Sequence, residues 1–337
     1  MLAVADASAP LALNYFSDSF YFVKQQLIWG VLGLVLLVIA ANVHYNFWRK
    51  TASIVFILNL VLLIAVLIPG IGSKVLGARR WLVIGPVRFQ PSELVKFSLA
   101  IYMAKLIELK KPFRIIIAPL IVIVALIMLQ PDLGTTLIVI AVAVSQMFVA
   151  GISLLPFLGL GVGGVAIGSL LIFVSKYRRE RLTAFFQSLS DPLTSSYHLK
   201  QVLIALGSGG IFGVGLGQGR QKYLFLPEAA TDSVFATIAE EVGFAGALII
   251  ILLLGFFIYK AIKIAQKAPD TYSSLLAIGI TSWLGGQIFL NLASMVALIP
   301  ITGVPLPFFS YGGSSLTVIL FGVGILLNIE KHGRAKN

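Results

Sequence analysis

Long apolar runs dominate this chain and leave it few ways to fold. About nine can be marked: Leu27–Val43, Ala52–Ile71, Glu93–Leu109, Ile115–Gln130, Leu133–Ala150, Leu154–Ser175, Val234–Tyr259, Leu275–Pro300 and Leu316–Ile329. A helix needs roughly 20 apolar residues to cross the hydrocarbon layer of a bilayer. Lipid offers the backbone no hydrogen bonds, so a spanning segment is either a helix or a strand of a closed barrel. Barrel strands alternate apolar and polar residues over about ten positions, and these runs do not alternate. The expected fold is all-α, a polytopic transmembrane helical bundle. Composition supports this, since 58% of residues are hydrophobic and 11% charged, against about 25% charged in soluble domains. A soluble fold could not cover its surface with so little charge, and a disordered chain would be poor in apolar residues. No internal repeat is visible, so residues 1–337 read as a single integral membrane domain.

Basic residues orient the bundle. Arg49 and Lys50 follow the first run, and Lys110, Lys111 and Arg114 the third. Lys260, Lys263 and Lys267 follow the seventh, and Lys331, Arg334 and Lys336 the ninth. Counting crossings puts all of these on one side, which the positive-inside tendency makes the cytoplasm, with the C-terminus inside. Residues 1–13 lack a basic start, so no cleavable signal peptide is expected.

Two loops on the other side are also basic. Residues 72–91 carry Lys74, Arg79, Arg80 and Arg88. Residues 176–232 carry Lys176, Arg178, Arg179, Arg181, Lys200, Arg220 and Lys222. Long loops are partly exempt from the positive-inside tendency. The functional reading is that these loops hold an anionic group, and phosphate suits Arg forks and Lys point charges. The second loop is too long for a plain connection and is expected to hold short helices at the membrane surface.

Several stretches could carry chemistry. Glu93 and Lys96, spaced i,i+3 after Gln90-Pro91-Ser92, share a helix face at the membrane edge. Ionisable groups there are costly, so the pair is either functional or a structural lock between helices. Ser92 is a candidate cap for that helix, and Asp132 a candidate cap for the helix after Gln130-Pro131. Gly213-Val214-Gly215-Leu216-Gly217-Gln218-Gly219 superficially matches a dinucleotide fingerprint but lacks the surrounding strand and βαβ unit, so a re-entrant loop fits better. Glu228, Asp232, Glu240 and Glu241 form the densest acidic cluster. Asp232 can be a plain helix cap or a proton acceptor, and with Glu240, two turns further on, it could hold a divalent cation. Pro300 to Ser315 contains three prolines and three glycines and cannot be helical throughout, so it is expected to wall a cavity, with Ser310 a candidate substrate contact. Gln287 and Asn291 add polar groups to the preceding run. His44, His198 and His332 are scattered without metal-ligand spacing, and cysteine is absent.

These stretches resemble the SEDS family of shape, elongation, division and sporulation proteins, which includes FtsW, RodA and SpoVE. The matching stretches are GARRW with FQPSELVK, QPDLGTT, QKYLFLPEAATD with AEEVG, and PITGVPLPFFSYGGSS. The LPEA stretch and Tyr21 to Trp29 lean toward the FtsW branch rather than RodA. Ala230 stands where the family usually has His, and Ser233 where it often has Phe. The family has ten spans, so the chain is expected to hold about nine complete spans plus the remnant of a first helix in residues 1–13, ending near Ala7-Ser8-Ala9.

The resemblance implies a glycosyltransferase of the bacterial cytoplasmic membrane that polymerises lipid II on its outer face, with undecaprenyl pyrophosphate leaving. It makes Asp232 the essential acid, here the candidate general base, and Glu93 and Lys96 family site residues. Arg79, Arg80, Arg220 and Lys222 are candidates for the leaving charge, with or without Mg²⁺ or Mn²⁺. The implied partners are a class B penicillin-binding protein and divisome or elongasome proteins, with no nucleic acid. The competing readings are a lipid II flippase without chemistry and a non-catalytic scaffold that activates a transpeptidase.

Overall fold

A computed structural model describes residues 1–75, 78–85, 87–153, 197–223 and 225–334, with Gly159, Gly161, Gly163, Gly164, Arg179 and Thr183 between them. Among the described residues are ten helices and three strands. In chain order they are α1 (Leu2–Phe16), α2 (Tyr21–Asn42), α3 (Asn46–Leu67), β1 (Gly72–Val75), β2 (Ala78–Ile84) and β3 (Val87–Phe89). Then come α4 (Pro91–Glu108), α5 (Phe113–Leu129), α6 (Leu133–Val149), α7 (Tyr197–Ser208), α8 (Val234–Gln266), α9 (Thr271–Met295) and α10 (Gly313–Arg334). The fold is helical, as expected, and α2, α3, α8, α9 and α10 are five helices long and apolar enough to cross a membrane. Several run past the apolar limits read from sequence, because polar residues continue a helix once it is started. The run Leu154–Ser175 lies outside the described residues apart from four glycines, and Lys176, Arg178 and Arg181 lie outside them too.

The chain divides into two compact units, one of residues 1–23, 151–252 and 289–310, the other of residues 24–150, 253–288 and 311–337. In the second, α4 is central. Nearly all its residues are buried, including Ser92, Glu93, Lys96 and Ser98. Polar side chains tie neighbouring helices to it. Ser98 donates to Asn59 on α3 at 3.1 Å, and Asn59 donates to the Pro91 carbonyl at 3.2 Å. Gln146 on α6 donates to the carbonyls of Ala100 and Leu275 at 2.8 and 2.9 Å. Each such bond in a membrane contributes about 0.6 kcal/mol on average. Pro91 opens α4 at its first position, with Gln90 as cap residue, so Ser92 is not the cap expected of it; it accepts instead from Gln90 Nε2 at 2.9 Å. Asp132 does cap α6, its carboxylate accepting from Thr135 N–H at 3.0 Å.

One expectation is corrected here. The fold is not all-α: residues 72–75, 78–84 and 87–89, in the first basic loop, form a three-stranded antiparallel meander in the order β1-β2-β3. Arg80 is the extra residue of a bulge between the Ser73–Trp81 and Lys74–Arg79 pairs, and Ala78 and Leu82 on either side of it are buried. Gly85, at φ 61°, makes the tight return between β2 and β3 that a residue with a side chain would strain.

In the first unit, α1 is a helix of 15 residues that continues through Pro10 to Phe16, beyond the end expected near Ala9. The loop expected to carry short helices does so at α7. α8 is broken at Gly243, where φ is 69° and ψ −174°.

At the far end of α4 the second unit holds a polar clamp. The Tyr45 hydroxyl donates to Asp270 at 2.8 Å, Asn328 accepts from the Tyr45 N–H at 3.0 Å, and Arg49 pairs with Glu108 at 2.9 Å. Burial and the Asp270 bond push the Tyr45 hydroxyl up to about 12. Burial pushes the Asp270 carboxyl up, but the Ser273 N–H and hydroxyl, Tyr45 and Arg49 outweigh it and hold the group below the usual carboxylate range.

Candidate active site

Asp232 sits where the extended loop turns into α8. The turn is built by Glu228, whose left-handed φ of 51° aims its carbonyl at the N–H groups of Thr231 and Ser233, both at 3.1 Å. The Glu228 carboxylate accepts from the Thr231 hydroxyl at 2.6 Å, so it shapes the turn. α8 begins at Val234 and the Ser233 carbonyl takes its first N–H bonds, so Asp232 lies just before the helix. The helical spacing expected to pair Asp232 with Glu240 therefore does not apply.

The proline- and glycine-rich segment is fastened to this turn. The Asn291 amide donates to the carbonyls of Asp232 and Val304, both at 2.8 Å. The Ser310 hydroxyl donates to the Thr231 carbonyl at 2.5 Å and accepts from the Leu306 N–H at 2.7 Å. Ser310 thus holds the scaffold with the group expected to meet substrate. Gly303, at φ 73°, lies beneath the acid: a Cβ there would fall 3.3 Å from Asp232 Oδ2. Thr302 Oγ1 and Asn291 Oδ1 are buried without a hydrogen-bond partner among the described residues. The result is a half-buried carboxylate above a glycine floor with polar acceptors nearby.

His198 joins this turn as well. Its Nε2 lies 2.7 Å from Ser233 Oγ. Sequence reasoning set His198 aside as scattered, since its partner is 35 residues away. A signal was available, because Ser233 and Ala230 are the two departures from the family pattern beside Asp232.

The remaining acids hold the glycine-rich loop. Glu240 accepts from the N–H groups of Arg220 and Gln221 at 2.9 and 3.2 Å. Glu241 accepts from those of Gly217 and Gly219 at 3.0 and 3.2 Å. Lys222 is buried, with its ammonium 2.5 Å from Asp6 and 2.6 Å from Glu241. Burial pushes the Lys222 ammonium down, but the bonds it donates to Asp6 and Glu241 outweigh it and leave its pKa above the usual lysine value. Lys222 is thus matched inside the protein, whereas Arg220 is exposed. Among the described residues no three His, Cys, Asp or Glu side chains meet as a metal set. Glu240 has both oxygens committed to backbone donors, which does not fit a shared cation site with Asp232.

The second unit carries the other candidates. Glu93 and Lys96 pair at 2.7 Å with side chains 5% and 1% exposed. The Lys96 ammonium lies 5.6 Å from the Trp283 ring. The second Glu93 oxygen is buried without a partner among the described residues. Arg80 donates to the carbonyls of Gln130 and Pro131 at 3.0 and 2.5 Å, closing the α5–α6 turn. Arg79, which precedes it on β2, pairs in register with Lys74 beside the bulge.

The comparisons agree with this architecture. The family model FTSW_RODA_SPOVE, described as "Cell cycle protein", matches residues 1–335. Stage V sporulation protein E of Bacillus subtilis is 40% identical, over 99% of this chain and 93% of its own. A probable peptidoglycan glycosyltransferase FtsW of Saccharophagus degradans is 41% identical, over 98% and 90%. Among solved structures, the rod shape determining protein RodA of Thermus thermophilus superposes with a TM-score of 0.69 at 29% identity, over 98% of this chain and 94% of that one. A chain from a peptidoglycan synthase complex coordinating polymerization and crosslinking superposes at 0.76, with 29% identity over 98% and 96%. The match over the whole chain leaves one conclusion: this protein belongs to the FtsW/RodA/SpoVE family.

Proposed function

We propose that the chain is a peptidoglycan glycosyltransferase that polymerises lipid II at the outer face of the bacterial cytoplasmic membrane. The observation that carries this reading is the placement of Asp232 over Gly303, with its backbone held by Asn291 and its turn by Ser310. Its likeness to probable peptidoglycan glycosyltransferases FtsW supports it.

A sugar hydroxyl is a weak nucleophile and needs a base. Asp232 takes its proton as the hydroxyl oxygen bonds to the anomeric carbon of the second substrate. The bond from that carbon to pyrophosphate breaks, and undecaprenyl pyrophosphate leaves with both electrons. Because the leaving group departs as a stable anion, no second carboxylic acid is required, unlike glycoside hydrolysis. One direct displacement inverts the anomeric centre. Arg220 is the proposed phosphate contact, since Lys222 in the same unit is committed within the protein.

The topology we infer has nine complete spans. These are the five long helices, α4, α5 and α6, and the run 154–175, with α1 as a shorter tenth helix. α4 belongs with them because its charged pair is buried. The basic ends after α2, α4, α8 and α10 face the cytoplasm. The partner is a class B penicillin-binding protein, consistent with the synthase complex among the structural neighbours. Purified protein in lipid, given lipid II, is expected to form glycan polymer, more so with the partner. Transport of lipid II without polymer would favour a flippase and refute the proposal.

A further inference from the structure

The loop between α7 and Arg220 is apolar where a water-facing loop should not be. Phe212 is 85% exposed, Leu216 80% and Ile211 64%. This loop is joined to the break in α8. The N–H groups of Val214 and Gly215 donate to the carbonyls of Glu240 and Glu241, both at 3.1 Å. Those of Phe244 and Ala245 donate to the carbonyls of Gly210 and Ile211 at 2.9 and 3.0 Å. The two backbones touch: a Cβ on Gly213 would fall 2.0 Å from the Glu241 carbonyl oxygen, and one on Gly243 2.2 Å from the Gly213 nitrogen. The loop therefore lies at the depth of residues 240–245.

That depth can be measured along α8. No charged residue occurs between Gly243 and Lys260. At 1.5 Å rise per residue the break stands about 25 Å from Lys260, inside a hydrocarbon layer of about 30 Å. Phe244, just past the break, is 67% exposed, and Leu252 and Phe256 continue the exposed apolar face of the helix. Irregular backbone at such depth persists only where its polar groups are paired. The four cross-bonds pair those of the loop and of the broken helix alike. Glu240 and Glu241 then take the N–H groups of Gly217, Gly219, Arg220 and Gln221, where the chain turns polar again.

We propose that segment 209–216 is a wedge inserted into the acyl chains of the leaflet at the α8 N-terminal end. That is the outer leaflet in the orientation inferred above. Ile211, Phe212, Leu216 and Phe244 are its lipid contacts, and it returns Arg220 to headgroup level. The insertion does not depend on the chemistry proposed for Asp232.

The chain has no cysteine, so Phe212→Cys and Leu216→Cys each accept one environment-sensitive fluorophore, with Gln218→Cys as the water-side reference. The labelled proteins are placed in phosphatidylethanolamine and phosphatidylglycerol vesicles. Quenching is compared for lipids brominated near the glycerol end, lipids brominated near the methyl end, and aqueous iodide. Labels at 212 and 216 should lose most emission to chains brominated near the glycerol end, less to the methyl end and little to iodide, and the label at 218 should respond to iodide. Iodide quenching at 212 and 216 matching that at 218 would overturn the proposal. So would protection from both quenchers, which would place a protein partner there instead.

Discussion

Removing the Lys96 ammonium would leave Glu93 buried and unmatched. The pair is 2.7 Å apart, both side chains are at most 5% exposed, and the second Glu93 oxygen already lacks a partner among the described residues. Breaking a buried pair from one side costs about 3–5 kcal/mol, so Lys96→Met should destabilise by that amount. Replacing both groups by apolar side chains of similar volume is near neutral. Glu93 also sits in the first turn of α4, where its charge favours the helix dipole by about 0.3–1 kcal/mol. Glu93→Met/Lys96→Met should therefore return to within about 1 kcal/mol of the parent chain. Equilibrium unfolding in mixed micelles measures the stability, and polymerisation of lipid II is followed on the same preparations. A double variant as unstable as Lys96→Met would refute the coupling. A double variant that is stable and still polymerises would remove Glu93 and Lys96 from the substrate site and leave them as a lock between helices. The expected outcome is recovered stability without recovered activity.

Glu241→Gln, which disturbs two backbone bonds and the Lys222 pair, should cost about 3 kcal/mol. Asp6→Asn, at the 29% exposed end of the same triad, should cost about 1 kcal/mol; the reverse order in unfolding experiments would count against the triad. Lys222 has a raised pKa, so its contribution is complete at neutral pH and is lost only as pH rises above about 10. On acidification two groups act in different windows. His44 is held below its ordinary value by burial and by His332, so it opposes folding once pH falls below about 6.5. Asp270 is also depressed, so its contribution fades only below about pH 4. Stability measured against pH should lose its first increment in His44→Gln and its second in Asp270→Asn. His198→Phe removes the bond to Ser233 at a stability cost of about 1 kcal/mol and should slow polymerisation, whereas His198→Gln should keep most of the rate.

What the sequence made legible was whatever depended on nearby residues. Apolar runs located the helices, and Asp132 was read correctly as a cap because the N–H it accepts from belongs to Thr135, within one turn. The strands at 72–75, 78–84 and 87–89 were not legible because Arg79-Arg80-Trp81-Leu82-Val83 does not alternate in polarity and a bulge interrupts the pairing at Arg80. Lys222 was grouped with the phosphate ligands because nothing local announces Asp6, which lies 216 residues away. Glu240 suggested a cation site until its oxygens were seen to meet the N–H groups of the glycine-rich loop. Ser310 was expected to meet substrate, and its bond to Thr231, 79 residues earlier, ties it to the frame of the turn.

The central claim is that Asp232 takes the proton of the attacking hydroxyl. Asp232→Asn keeps the size of the side chain and leaves the backbone bonds to Asn291 and the Ser310 anchor at Thr231 in place. Polymerisation by purified, lipid-embedded protein with its partner should fall by about 10²–10⁴-fold, while lipid II binding and unfolding stability stay close to those of the parent. A folded Asp232→Asn protein that binds lipid II and polymerises it at near the parent rate would contradict the account.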